Sequence, residues 1–122
     1  MSVIHKFRLS IIWAVLLFII SVIPSNSLPK SNIANIDLLV HFCSYSILSF
    51  LILLAIKKEN LNIHFLEFAI CVLISGGYGM ILELIQPIVS DRASEFSDFL
   101  ANFIGASFGA GLMFIYYKPK TI

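Results

Sequence analysis

The amino-acid sequence predicts an all-α integral membrane protein, a bundle of four transmembrane helices with both termini in the cytoplasm. Of its 122 residues, 59% are hydrophobic and only 12% are charged, whereas soluble domains are about a quarter charged. Four apolar segments, over residues 7–23, 38–56, 65–89 and 99–117, each have about the length that a helix needs to cross a bilayer core. Lipid offers the backbone no hydrogen-bond partners, so such segments fold as helices. We therefore expect a single transmembrane domain over 1–122.

The distribution of basic residues predicts how the bundle is oriented. Six of the eight Lys and Arg residues flank the segments on one side: Lys6, Arg8, Lys57, Lys58, Lys118 and Lys120. Only Lys30 and Arg92 fall in the two other loops. Because positively charged loops stay in the cytoplasm, both termini and loop 57–64 are expected inside, and loops 24–36 and 90–97 outside.

The first segment has little polar content, and we expect it to pack against the others and to orient the chain. Its apolar run is long for a signal peptide and no Ala-x-Ala cleavage site follows, so a retained helix is the favoured interpretation. The second segment carries Asp37, His41 and Ser44 on one face, because they recur at helical spacing. Tyr45 lies beside that face.

The third and fourth segments combine polar residues with small ones. On the third, Glu83 and Gln86 follow a glycine along one stripe; on the fourth, one face carries Asp98 and Asn102 and then two glycines. Small residues at a spacing of four let neighbouring helices approach closely, which drives packing inside a membrane. The glycines predicted to pack in this way are Gly79, Gly105 and Gly109.

Polar residues on three segments fall at similar depth once the segments are oriented. They lie in the half of the bundle expected to face outward, and they predict one outward-facing polar pocket. Its expected members are Asp37, His41, Tyr45, Glu83, Gln86, Arg92, Asp98 and Asn102. Charged groups inside a membrane are costly, whereas a hydrogen bond between membrane helices contributes roughly 0.6 kcal/mol. A binding or catalytic role therefore accounts better for these residues than pairing that only locks the bundle.

Several chemistries are compatible with these residue types. His41 and Glu83 are candidate catalytic residues, as general acid or base, and Arg92 suits an anionic head group because its guanidinium matches phosphate geometry. A metal site of His41, Glu83 and Asp98 is an alternative, but no close-spaced ligand pair such as HExxH supports it. A serine nucleophile beside His41 lacks an elbow motif. We therefore expect no metal and no cofactor.

The polar residues also form an ordered pattern along the chain. It reads Asp37-x-x-x-His41-Phe42-x-x-Tyr45, then Glu83-x-x-Gln86, then Arg92 and, six residues later, Asp98-x-x-x-Asn102-x-x-Gly105. Over about residues 37–109 this pattern resembles the VanZ-like family of small integral membrane proteins. One departure is Leu38, where such proteins often carry a basic residue. The resemblance implies a multi-pass protein of the bacterial inner membrane with one VanZ-like domain, and the family's name-giving member is associated with resistance to the glycopeptide teicoplanin.

Two functional hypotheses follow. In the first, the pocket engages a lipid-linked cell-wall precursor or an amphiphilic drug such as a glycopeptide antibiotic, in cell-envelope function or teicoplanin-type resistance. In the second, the protein is a membrane enzyme acting on a lipid or prenyl-phosphate head group, with His41 and Glu83 as acid and base. The expected partners are membrane lipids and not nucleic acid. A transporter would need a polar path to the inner side, where the helices carry little beyond Glu67 and Ser75.

Overall fold

The computed structural model describes residues 3–23, 36–56, 63–90 and 94–117. These residues are almost entirely helical, and no strand occurs among them. The helices are α1 (Val3–Lys6), α2 (Arg8–Val22), α3 (Ile36–Ile56), α4 (Phe65–Val89) and α5 (Phe96–Tyr117). The predicted all-α fold class is confirmed, and the four predicted apolar segments correspond to α2, α3, α4 and α5.

Three of the helices are long and apolar enough to cross a membrane: α3 with 21 residues, α4 with 25 and α5 with 22. The apolar helix α2 has 15 residues and is therefore about 22 Å long. All four helices expose large apolar side chains, among them Ile19, Ile47, Leu73 and Ile104. Exposed apolar surface of this extent is typical of contact with lipid. The chain is thus a helical membrane protein with three span-length helices, and a fourth crossing by α2 is part of the proposal below.

The contact between α3 and α5 is the most extensive in the bundle. Small residues on α5 let the two backbones meet: a Cβ atom at Gly105 would lie 2.9 Å from the carbonyl carbon of Phe42, and one at Gly109 would collide with the carbonyl oxygen of Ser46. The Ser46 hydroxyl donates a hydrogen bond to the carbonyl of Gly105 at 2.8 Å. Close packing and such bonds hold the helices together because lipid is as apolar as the side chains.

Helix α4 completes the core through a third small residue. A Cβ atom at Gly79 would lie 2.7 Å from Asn102 Nδ2 on α5 and 2.8 Å from the ring of Tyr45 on α3. Gly79 therefore faces the point at which the three helices meet. All three glycines that the sequence assigned to packing lie at contacts between helices.

Helix α2 lies beside this core and is attached by a few specific contacts. The Trp13 indole N–H donates to the carbonyl of Ser44 at 2.9 Å, and the Tyr78 hydroxyl donates to the carbonyl of Ala14 at 2.5 Å. Leu17 is buried against the core. An apolar groove of about 410 Å³ separates the first part of α2 from α3 and α4. The attachment of α2 is therefore looser than that of the three core helices.

Candidate functional site

A cluster of polar side chains lies where the first turns of α3 and α5 meet the last third of α4. Its buried members are Tyr45, Glu83, Gln86, Asp98 and Asn102. The His41 side chain joins them and is 17% exposed. The interior of the bundle thus brings together six of the eight residues that the sequence assigned to one pocket.

His41 links α3 to α5 within this cluster. Its Nδ1 lies 2.8 Å from Asn102 Oδ1, and its Nε2 lies 3.6 Å from Asp98 Oδ2. An amide oxygen only accepts hydrogen bonds, so Nδ1 carries the proton in this arrangement and Asn102 sets the tautomer of the ring. The Nε2 atom faces the Asp98 carboxyl group at a distance too long for a good hydrogen bond.

Asn102 is fully buried, at 0% exposure, and its two amide atoms have different surroundings. Oδ1 accepts from His41, whereas Nδ2 packs against Gly79 and has no hydrogen-bond partner within the described part of the chain. A buried donor without a partner costs about 1–3 kcal/mol. Stability alone therefore does not explain an amide at this position.

Glu83 and Asp98 bring two carboxyl groups together beside His41. Glu83 Oε1 accepts the backbone N–H of Glu95 at 3.1 Å, and a carboxylate oxygen of Glu83 lies within 4.8 Å of one of Asp98. Two carboxylates this close repel each other, and a cation beside them favours the ionised form of both. One ligand atom each from His41, Glu83 and Asp98 lie within 4.8 Å of one another. These three residues could therefore hold a metal ion.

A small cavity adjoins the cluster on the side of α2. It has a volume of about 50 Å³, and its lining combines polar and apolar residues: Leu17, Ile20, Ser21, Val40, His41, Ser44, Tyr45 and Gln86. A water molecule takes up about 30 Å³ in the liquid, so the cavity admits a small group rather than a whole lipid head group. The sequence did not predict that α2 contributes to the site. Ser21, a polar residue near this end of α2, is the residue that could have indicated it.

The two other predicted pocket residues have different positions. Asp37 lies exposed in the first turn of α3, one turn before His41. Arg92 lies outside the described residues, between Ser90 and Ser94. The described cluster therefore consists of one histidine, two carboxylic acids, two amides and one phenol.

This fold and this cluster define a class: small helical membrane proteins that bury a polar site near one end of the bundle. The chain belongs to the VanZ/LLP1 family, whose model matches residues 4–117. The resemblance carried by residues 37–109 is thereby confirmed, and the match extends over α2 and the end of α5. No curated protein and no solved structure matches the chain.

Proposed function

We propose that the chain is a four-span protein of the bacterial inner membrane whose polar cluster faces outward and engages the head group of an amphiphile of the cell envelope. The amphiphile is a lipid-linked cell-wall precursor or a glycopeptide of the teicoplanin type. One observation carries the proposal: His41, Glu83, Asp98 and Asn102 meet between three span-length helices, close to the helix ends. Membership of the VanZ/LLP1 family supports a role in the envelope.

The depth of the cluster suits the recognition of a head group. His41 is five residues from the start of α3, and Glu83 is six residues from the end of α4, which corresponds to about 8 Å and 9 Å along the helices. Asp98 lies in the first turn of α5. Polar groups at this depth are just below the interface at which lipid head groups lie. The distribution of Lys and Arg residues favours the outer side for this end of the bundle.

Incomplete pairing distinguishes the cluster from a purely structural network. Among the described residues, His41 and Asp98 are 3.6 Å apart, too far for a good hydrogen bond, and Asn102 Nδ2 has no hydrogen-bond partner. A polar network that serves only stability satisfies all its members, because an unpaired polar group is costly at low dielectric. This unused hydrogen-bonding capacity supports the presence of a ligand.

The cavity beside His41 has the mixed lining that an amphiphile requires. Leu17 and Ile20 line one part of it, and His41 and Gln86 line another. Because its volume is about 50 Å³, only the innermost polar group of a head group enters, and the remainder binds at the mouth. On sequence grounds Arg92 remains the candidate anion clamp for such a head group, since a guanidinium matches phosphate.

Binding of two defined probes tests the proposal. The purified chain in lipid nanodiscs is titrated with an undecaprenyl-diphosphate-linked wall precursor and, separately, with teicoplanin. We expect the wild type to bind one of them, and His41→Ala to lower the affinity about tenfold, the loss of one hydrogen bond to a charged group. Ser107→Ala changes an exposed residue of α5 and should bind as the wild type does.

Cells with and without the protein provide the second measurement. Their lipid-linked precursors are quantified and their susceptibility to teicoplanin is determined. Altered precursors would select the lipid, and altered susceptibility with unchanged precursors would select the drug. If neither probe binds and both cellular measurements are unchanged, the proposal is wrong.

A membrane enzyme acting on a lipid or prenyl-phosphate head group is the second candidate. The observation in its favour is that an imidazole and a carboxyl group, from His41 and Glu83, lie within 4.8 Å of each other, as a general base and acid pair requires. The test is release of phosphate from prenyl phosphate and prenyl diphosphate by the purified chain. Turnover that Glu83→Gln abolishes while binding persists would establish the enzyme. Binding without turnover would exclude it.

A further inference from the structure

We infer that His41, Glu83 and Asp98 bind one divalent transition-metal ion, of the zinc type, between α3, α4 and α5. One ligand atom from each residue lies within 4.8 Å of the other two, and Glu83 and Asp98 are buried. The sequence gave no support to a metal because it has no close-spaced ligand pair. The fold removes that objection, since each ligand comes from a different helix.

The separation of His41 and Asp98 is close to that of two ligands on one ion. Nε2 and Oδ2 are 3.6 Å apart. Zinc lies about 2.0–2.1 Å from a histidine nitrogen and about 2.0–2.2 Å from a carboxylate oxygen, so two such ligands in a tetrahedral site are about 3.4 Å apart. The ligand atom of Glu83 lies within 4.8 Å of the other two, and closer coordination needs a movement of the Glu83 side chain. The cluster therefore has the dimensions of a metal site.

The orientation of His41 is that of a metal ligand. Histidines that bind a metal donate their second ring N–H to an oxygen acceptor, which fixes the tautomer and directs the free nitrogen to the ion. Asn102 Oδ1 supplies this acceptor at 2.8 Å from Nδ1, and Asn102 is fully buried. With Nδ1 protonated, a neutral ring directs the lone pair of Nε2 at an oxygen of Asp98. An ion between the two atoms turns this repulsion into two bonds.

The charges in the cluster also favour a cation. Within residues 36–56, 63–90 and 94–117, His41 is the basic side chain that lies beside the two carboxyl groups. The backbone N–H of Glu95, which binds Glu83, is neutral. A divalent ion balances two carboxylates in an interior where uncompensated charge is costly. The alternatives are protonation of these groups and pairing with the guanidinium of Arg92, which lies outside the described residues.

The donor set indicates the kind of ion. One imidazole nitrogen and two carboxylate oxygens suit zinc, and also manganese. Three protein ligands leave one position open in a four-coordinate site. His41 borders the cavity of about 50 Å³, which has room for a water molecule as the fourth ligand.

Metal binding is measured on the full-length chain, purified without a polyhistidine tag, stripped with EDTA and placed in lipid nanodiscs. Co²⁺ is titrated while its visible spectrum is recorded, and bound Zn²⁺ is quantified by mass spectrometry. We expect one ion per chain and a tetrahedral Co²⁺ spectrum. Asp98→Asn should weaken binding by roughly 100-fold, at least as much as the loss of a residue that orients a ligand. The matched control is Asp37→Asn, which removes an exposed carboxylate from the first turn of α3 and should bind as the wild type does.

Glu83→Gln distinguishes a bound metal ion from a proton held by the carboxyl groups, because glutamine has the shape of protonated glutamate. If an ion binds, Zn²⁺ raises the unfolding temperature of the wild type and leaves that of Glu83→Gln unchanged, while both variants are folded in EDTA. The inference is overturned if folded wild type binds no stoichiometric Co²⁺ or Zn²⁺, or if Asp37→Asn loses as much affinity as Asp98→Asn. Binding of the wall precursor and of teicoplanin is measured in EDTA as well, so the amphiphile and the metal are judged separately.

Discussion

His41 Nδ1 lies 2.8 Å from Asn102 Oδ1, and this hydrogen bond joins α3 to α5 inside the bundle. It directs the other ring nitrogen of His41 toward Asp98, 3.6 Å away. Asn102 itself has no contact with solvent. The chemistry available at His41 therefore depends on a residue that no ligand needs to touch.

Replacing Asn102 with leucine keeps a similar volume and removes the acceptor for His41. We expect the free energy of unfolding to change by less than about 1 kcal/mol, because loss of the partner of the His41 N–H and removal of the unpartnered Asn102 Nδ2 have opposite effects of similar size. Binding of the chosen probe should fall, because the His41 ring is no longer oriented. Asn102→Asp retains an acceptor and should preserve more binding of the chosen probe. The measurement is a denaturant titration in detergent micelles, followed by circular dichroism.

The control for this prediction is Ser107→Ala on the same helix. The Ser107 hydroxyl donates to the carbonyl of Phe103 in its own helix, at 2.8 Å, and the residue is exposed. We expect no measurable change in stability. If Asn102→Leu binds the probe as tightly as Ser107→Ala does, the bond to His41 does not orient the ring for binding.

The glycines provide a second prediction. Gly109→Ala places a methyl group against the carbonyl oxygen of Ser46, and such overpacking costs about 1–3 kcal/mol. A Cβ atom at Gly77 on α4 meets nothing within 4 Å, so Gly77→Ala should be neutral or stabilising by up to about 1 kcal/mol, since alanine is the better helix former. The same titration compares the two variants. If Gly109→Ala is as stable as Gly77→Ala, the close contact of α3 and α5 is absent in the folded protein.

The attachment of α2 gives a third prediction. Tyr78→Phe removes the hydrogen bond to the carbonyl of Ala14 and should cost about 0.5–1.5 kcal/mol. We expect α2 to loosen while α3, α4 and α5 stay packed, because the glycine contacts that join them do not involve Tyr78. Tryptophan fluorescence reports this change, since Trp13 lies on α2 and is the single tryptophan of the chain. Tyr116→Phe, at a position that is 79% exposed, should leave the fluorescence and the stability unchanged.

The orientation of the chain is a fourth prediction. Four crossings with both termini in the cytoplasm follow from the six basic residues on one side and two on the other. Reporter fusions at the C-terminus and within loop 24–36 measure it: the C-terminal fusion should be cytoplasmic and the loop fusion exported. An exported C-terminus would put the cluster on the inner side and contradict the proposed encounter with an extracytoplasmic amphiphile.

A fifth prediction concerns Arg92 and depends on the sequence, because Arg92 lies outside the described residues. Arg92→Lys keeps the charge but loses the bidentate geometry, so it should impair function more than abundance. Arg92→Ala should lower both, since it also removes the charge that the sequence predicts to pair with Glu83 and Asp98. Protein level in extracted membranes and the cellular phenotype are measured side by side. If Arg92→Lys matches the wild type in both, the anion-clamp role of Arg92 is wrong.

Much of the fold follows from apolar length, because a segment that must satisfy its backbone in lipid has few alternatives to a helix. The polar cluster was predictable for a related reason. His41, Glu83 and Asn102 are polar residues at one depth on three predicted helices, and burying them together is the least costly arrangement. The spacing put Asp37 on the same face of α3 as His41. It did not show that Asp37, one turn nearer the start of the helix, is exposed.

Other features depend on rotations and distances that a linear pattern does not contain. Ser49 donates to the carbonyl of Ala106 at 2.7 Å, and nothing in an apolar run of sequence identifies that acceptor. Leu17 and Ile20 line the cavity because of the position and tilt of α2 relative to α3. The approach of three ligand atoms in the cluster depends on helix crossing angles, which small shifts in packing determine.

The glycine contacts between α3 and α5 have a consequence for movement within the protein. Moving one helix along the other would take Gly105 and Gly109 away from the backbone of Phe42 and Ser46, where a Cβ atom has no room. We therefore expect these two helices to behave as a rigid frame that keeps His41 and Asn102 in register. We expect movement mainly in α2, which is attached by two hydrogen bonds to backbone carbonyls. A movement of α2 would then change the width of the cavity that Leu17 and Ile20 line beside His41.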